Sequence, residues 1–102
     1  MGSWYQLNMS DRSTRLAPTE RRLLTCLVRN PGRIVSHGEL LEAMSPGNPS
    51  ESAHRVREYI LRLRKKIEID PALPSIITTH YGLGYSFAGK EQARWFPELE
   101  LS

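Results

Sequence analysis

Between Ala53 and Glu68 the apolar residues Val56, Ile60, Leu63 and Ile67 recur at spacings of four, three and four. That is the period of a helix buried along one side, so the stretch predicts a long third helix. Tyr59 borders the stripe, and Asp70-Pro71 with Pro74 stops it. An earlier stripe of Leu23, Leu24, Leu27 and Val28 predicts a first helix over Pro18–Arg29. Proline suits its first position, where the missing N–H has no partner to lose. Asn30-Pro31-Gly32 ends it. A short second helix follows Ile34-Val35. Ser36 and Glu39 have the spacing of a capping box there, and Leu40, Leu41 and Met44 form its buried face.

Elsewhere the pattern turns to β. Ile76–Ala88 predicts a hairpin: Ile76, Ile77, Thr78 and Thr79 are answered by Tyr85-Ser86-Phe87. His80-Tyr81-Gly82-Leu83-Gly84 between them supplies glycines for a turn that needs positive φ. A shorter hairpin is expected over Trp4–Leu16, turning at Ser10-Asp11. Residues 45–52 hold two prolines, a glycine, an asparagine and three serines, and read as a loop. The resulting fold class is α+β: a winged helix-turn-helix, with a three-helix core, a short N-terminal β-hairpin and a C-terminal β-hairpin wing. Residues 1–3 read as a cloning remnant and 4–89 as the winged-helix domain. In the tail, 90–102, Trp95, Phe96 and Leu99–Leu101 are available to dock on the core or on a neighbour.

A chain of 102 residues allows one domain and one modest core. With 39% hydrophobic and 25% charged residues it reads as globular rather than disordered. No apolar run is long enough for a membrane span, and no signal peptide is visible. Cys26 is the single cysteine and lies between Leu24 and Leu27, which points to a packed thiol in a reducing, cytoplasmic setting. His37, His54 and His80 are scattered, and no zinc-protease, metal-ligand or phosphate-loop motif appears. The expectation is therefore a non-enzymatic chain without cofactor or metal.

Charge adds direction. The net charge is only +3, but six of the 14 Lys and Arg (Arg55, Arg57, Arg62, Arg64, Lys65, Lys66) fall within 12 residues, opposed there by Glu58 alone. On a wheel with the apolar stripe inward, His54, Glu58, Leu61 and Lys65 face outward. Arg57 and Arg64 flank one side, and Arg55, Arg62 and Lys66 the other. Such a sign bias gives up the i,i+4 pairing usual on a solvated face. A helix of this width fits the major groove of duplex DNA, where arginine forks onto guanine and lysine neutralises phosphate. Leu61 on that face is suited to a thymine methyl. At the tip of the wing, Thr79, His80 and Tyr81 are candidates for the adjacent backbone or minor groove. The alternative is a winged-helix protein-interaction module without DNA binding, using loop 45–52 or the Trp95-Phe96 tail.

Leu16-Ala17-Pro18-Thr19-Glu20 with Leu23-Leu24, Asn30-Pro31-Gly32-Arg33-Ile34-Val35-Ser36 and Leu40-Leu41 resemble the first half of the OmpR/PhoB-type effector domain. Ile60-Leu61-Arg62-Leu63-Arg64-Lys65-Lys66-Ile67-Glu68, Asp70-Pro71, Ile77-Thr78-Thr79 and Gly82-Leu83-Gly84-Tyr85-Ser86-Phe87 resemble the second half. The resemblance implies the DNA-binding part of a bacterial transcription regulator, commonly joined to a phosphorylatable receiver in two-component signalling. It implies that the third helix enters the major groove, that the loop 45–52 touches RNA polymerase, and that copies bind direct repeats head to tail. By the same resemblance Arg62 reads bases, Arg57 and Arg64 contact bases or phosphate, Tyr59 and Lys65 lie near the backbone, and Thr79 is a wing threonine beside DNA. The sequence departs from the family at Ala17, where a capping hydroxyl is usual, and at Ser45, where tryptophan is frequent. Arg57 replaces a common acid, and Tyr81 a frequent wing arginine.

Overall fold

A computed structural model describes residues 16–47, 53–68 and 70–88. The expected Trp4–Leu16 hairpin lies outside them except for its last residue, as do most of loop 45–52 and the tail. Three helices and three short strands follow in chain order: α1 (Pro18–Val28), β1 (Val35–Ser36), α2 (His37–Met44), α3 (Ala53–Ile67), β2 (Ile77–His80) and β3 (Gly84–Phe87). This is the α+β winged helix that the hydrophobic pattern predicts.

Local contacts set the start of each of the first two helices. Pro18 opens α1, and the Ala17 N–H donates to Glu20 Oε1 at 2.9 Å. The reciprocal half of a capping box is missing, because alanine offers no side-chain acceptor. At the other end Asn30 Nδ2 donates to the Cys26 carbonyl at 2.7 Å, and Gly32 turns the chain away with φ of +79°. In α2 the box is complete: Glu39 N donates to Ser36 Oγ at 3.2 Å, and Ser36 N donates to Glu39 Oε2 at 2.9 Å. Arg33 leans on the same Glu39 at 3.2 Å. These contacts hold the Glu39 carboxyl below its ordinary pKa.

The half-capped start of α1 leads to an expected gain. Ala17 has the extended conformation of an N-cap residue, φ −67° and ψ 158°. Ala17→Thr places a hydroxyl oxygen near the Glu20 N–H and is expected to stabilise the domain by about 1 kcal/mol. Thermal melting followed by circular dichroism checks it; an unchanged midpoint would mean that the donor is already satisfied.

The inward stripe of α3 packs as its period requires: Val56, Ile60, Leu63 and Ile67 are all buried. Leu23, Leu24, Leu27 and Val28 of α1, Leu40 and Met44 of α2, and Ile77, Tyr85 and Phe87 of the sheet complete one core. Burial at about 25 cal/mol per Å² of apolar surface is the main force closing these layers.

The hairpin is only part of the sheet. β3 pairs antiparallel with β2, from Ile77↔Phe87 to His80↔Gly84, and on its other edge with β1, through Val35↔Tyr85 and Ser36↔Gly84. The order is β1-β3-β2, so the wing is anchored to the segment entering α2. Gly32 N donates to the Phe87 carbonyl at 3.0 Å and adds a second tie.

Candidate nucleic-acid interface

The outer face of α3 keeps its expected polarity, although two of its six basic residues are bound inward. Arg57, Glu58, Arg62 and Lys65 are exposed, and His54 lies exposed near the start of the helix. Leu61 is 52% exposed among them, as the wheel places it. Lys66 instead reaches across the core edge to Glu20, Nζ to Oε1 at 2.6 Å. Glu20 is only 3% exposed. Burial alone would raise its pKa, but the Lys66 ammonium and the Ala17 N–H outweigh it and hold the carboxyl below its ordinary value.

Arg64 is likewise committed within the fold. Its Nη2 donates to the Ile77 carbonyl and to Thr79 Oγ1, both at 2.8 Å, and its guanidinium lies 5.9 Å from the centre of the Tyr85 ring. These bonds fix the wing against α3, a structural role for Arg64 beside the DNA contact expected of it. Thr79 accepts that bond and keeps its own hydroxyl proton for another acceptor.

Tyr59 is half-buried against the core and serves as a platform. The Arg62 guanidinium lies 4.6 Å from its ring centre and that of Arg55 lies 5.1 Å away. Stacking of this kind restrains two long side chains that would otherwise lose entropy on meeting a ligand. Arg62 is thus exposed and restrained, whereas Arg55 is half-buried.

Between α3 and the wing runs a cleft of about 410 Å³. Arg57 lines it from α3, Thr79, His80 and Tyr81 from the wing, and His37 from the first position of α2. The structure thus brings Arg57 together with the three wing candidates. His80 is less free than its turn position suggests, because Nε2 is paired with Ser86 Oγ at 2.8 Å. Tyr81 is 91% exposed on a tight turn closed by Leu83 N donating to the His80 carbonyl at 2.9 Å. Gly82 supplies the positive φ of that turn, +78°.

His37 was missed from sequence. It looks like a helix-start residue, and only the pairing of β1 with β3 carries it to the cleft, where its ring meets Tyr85 edge-on at 5.8 Å. Glu68 was missed as well. It is 2% exposed and accepts from the N–H groups of Ser75, Ile76 and Ile77 at 2.9–3.1 Å, tying the end of α3 to the start of β2.

A basic, rigidly held helix face beside a wing cleft is a surface shaped for a polyanion. The family model described as "Transcriptional regulatory protein, C terminal", the OmpR/PhoB type of DNA-binding domain, matches residues 11–87. The chain belongs to that family. Over 73 residues this domain is 44% identical to the transcriptional regulatory protein KdpE of Mycobacterium tuberculosis, covering 71% of this chain and 32% of the relative. Over 81 residues it is 36% identical to the KDP operon transcriptional regulatory protein KdpE of Escherichia coli, covering 79% and 36%. A third relative, the DNA-binding dual master transcriptional regulator RpaA of Synechocystis, is 35% identical over 74 residues, covering 72% and 31%. The chain thus spans about a third of the length of the curated relatives it matches. None of the helices among the described residues is long and apolar enough to cross a membrane.

Proposed function

We propose that this domain binds duplex DNA sequence-specifically in the cytoplasm, as the effector part of a bacterial two-component transcription regulator. In this reading α3 lies in the major groove. Arg62 reads a base edge, Leu61 packs on a thymine methyl, and Lys65 and Arg57 neutralise phosphates. Arg55 and Tyr59 act by holding Arg62. The wing sets Thr79, His80 and Tyr81 on the neighbouring backbone or minor groove. The observation that carries it is the pairing of exposed Arg62 with the Tyr59 platform, on a helix joined to the wing by one cleft. The domain then acts by binding rather than by catalysis. The family resemblance further supports contact of loop 45–52 with RNA polymerase and head-to-tail pairing of copies on DNA.

Fluorescence anisotropy on duplexes selected from a random pool tests this. Affinity is expected to fall steeply with salt, because each neutralised phosphate releases counterion. Arg62→Ala should cost about 1–3 kcal/mol on the preferred site and little on others, whereas Lys65→Ala should weaken all duplexes and reduce the salt slope by about one. Undiminished discrimination in Arg62→Ala would remove it as the reader. Absence of binding to every duplex at low salt would sink the reading as a whole.

A further inference from the structure

On a different side of the three-helix core, α1 and α2 border a second depression of about 680 Å³. Half-buried Cys26 and Ala43 line it together with Arg21, Arg22, Arg29 and Asn30. It shares no lining residue with the α3–wing cleft. Among the described residues no carboxylate forms a salt bridge with Arg22 or Arg29. The guanidinium groups of Arg22 and Arg29 beside a partly apolar groove select a ligand that is both acidic and apolar.

The chain carries such a segment at its C-terminal end. Trp95-Phe96-Pro97-Glu98-Leu99-Glu100-Leu101 alternates strictly beyond Phe96. In an extended strand Trp95, Pro97, Leu99 and Leu101 share one side, and Phe96, Glu98 and Glu100 the other. Pro97 biases Phe96 before it toward an extended backbone.

Topology brings the two together. Gly32 N donates to the Phe87 carbonyl, so the chain leaves β3 beside the residues that follow Asn30. From Ala88 the extended chain reaches roughly 43 Å by Leu101, at about 3.3 Å per residue. The groove follows α1 for only about 18 Å between Pro18 and Asn30, at 1.5 Å per residue. Reach is ample, and the tether keeps the effective concentration of the segment high.

We propose that Trp95–Leu101 docks in the α1–α2 groove of its own chain, with its apolar side on Cys26 and Ala43 and with Glu98 and Glu100 toward Arg22 and Arg29. The groove shares no lining residue with the cleft of the proposed DNA interface. Burial already pushes the Cys26 thiol up, which keeps its background reactivity low.

Alkylation of Cys26, the only cysteine, by uncharged iodoacetamide reads the groove directly. Glu98→Lys/Glu100→Lys in the full chain should react about tenfold faster than wild type, the ratio when nine molecules in ten hold the segment docked. Arg22→Glu/Arg29→Glu should do the same, and combining the two pairs should restore protection. In a Trp4→Phe background, Trp95 emission should shift to the red in each charge-reversed pair and return in the combination. Circular dichroism confirms folding of each variant. Equal alkylation rates in folded wild type and charge-reversed chains would overturn the proposal. Protection that grows with protein concentration would overturn it too, because the occupant would then be a second copy.

Discussion

Gly84→Ala is expected to lower the melting temperature by roughly 10–20 °C, the shift that follows from losing about 3 kcal/mol in a domain of this size. A Cβ at this position would stand 2.0 Å from the Val35 carbonyl oxygen and 2.9 Å from its carbon. Both are backbone atoms, so no rotamer change relieves the clash. The φ of +155° adds strain for any residue with a side chain. β1 and β3 must therefore separate at Ser36↔Gly84, and with them goes one of the ties between the wing and α2. Gly82→Ala is the control. Its φ of +78° imposes backbone strain, but no atom lies within 4 Å of the added Cβ. A melting midpoint for Gly84→Ala equal to that of Gly82→Ala would show that close packing of β1 is not what requires glycine.

The contrast between those glycines marks what was legible in the sequence. Gly82 in a hairpin turn is readable, because the turn itself demands positive φ. Gly84 reads the same way in sequence, yet its larger constraint comes from β1, a two-residue strand 48 positions earlier that carries no alternation of its own. The same divide runs through α3. The buried stripe follows from period alone, and Val56, Ile60, Leu63 and Ile67 are all buried. The basic face does not, because a wheel shows direction but not what stands opposite. Lys66 meets Glu20 across 46 residues and Arg64 meets the Ile77 carbonyl across 13. Counting charges does not show which of them pair within the fold, whereas Arg57, Arg62 and Lys65 stand outward as the pattern requires. Stacking of Arg62 on Tyr59 is local, three residues apart on one helix, and lies within reach of sequence reasoning.

Glu68→Ala should destabilise the domain by roughly 2–5 kcal/mol, because the buried N–H groups of Ile76 and Ile77 each lose a charged acceptor at about 1–3 kcal/mol per orphaned donor. The loss falls where α3 hands the chain to β2, so its consequence is not confined to stability. Two devices fix the wing against α3: the Glu68 carboxylate on the β2 backbone, and Arg64 on Ile77 and Thr79. Without the first, Arg64 and the packing of the sheet on the core are left to set the width of the cleft shared by Arg57 and Tyr81. Glu68→Gln keeps one acceptor oxygen and the side-chain volume but turns an N–H₂ toward donors, so its cost should fall between wild type and alanine. Urea denaturation measures that order. Anisotropy at a temperature where all three proteins are folded then separates the two roles. Weaker DNA binding in Glu68→Ala, with base preference at the Arg62 position kept, is the signature of a loosened wing on an intact recognition helix. Alanine and glutamine variants as stable as wild type would mean that water replaces the carboxylate at those three N–H groups.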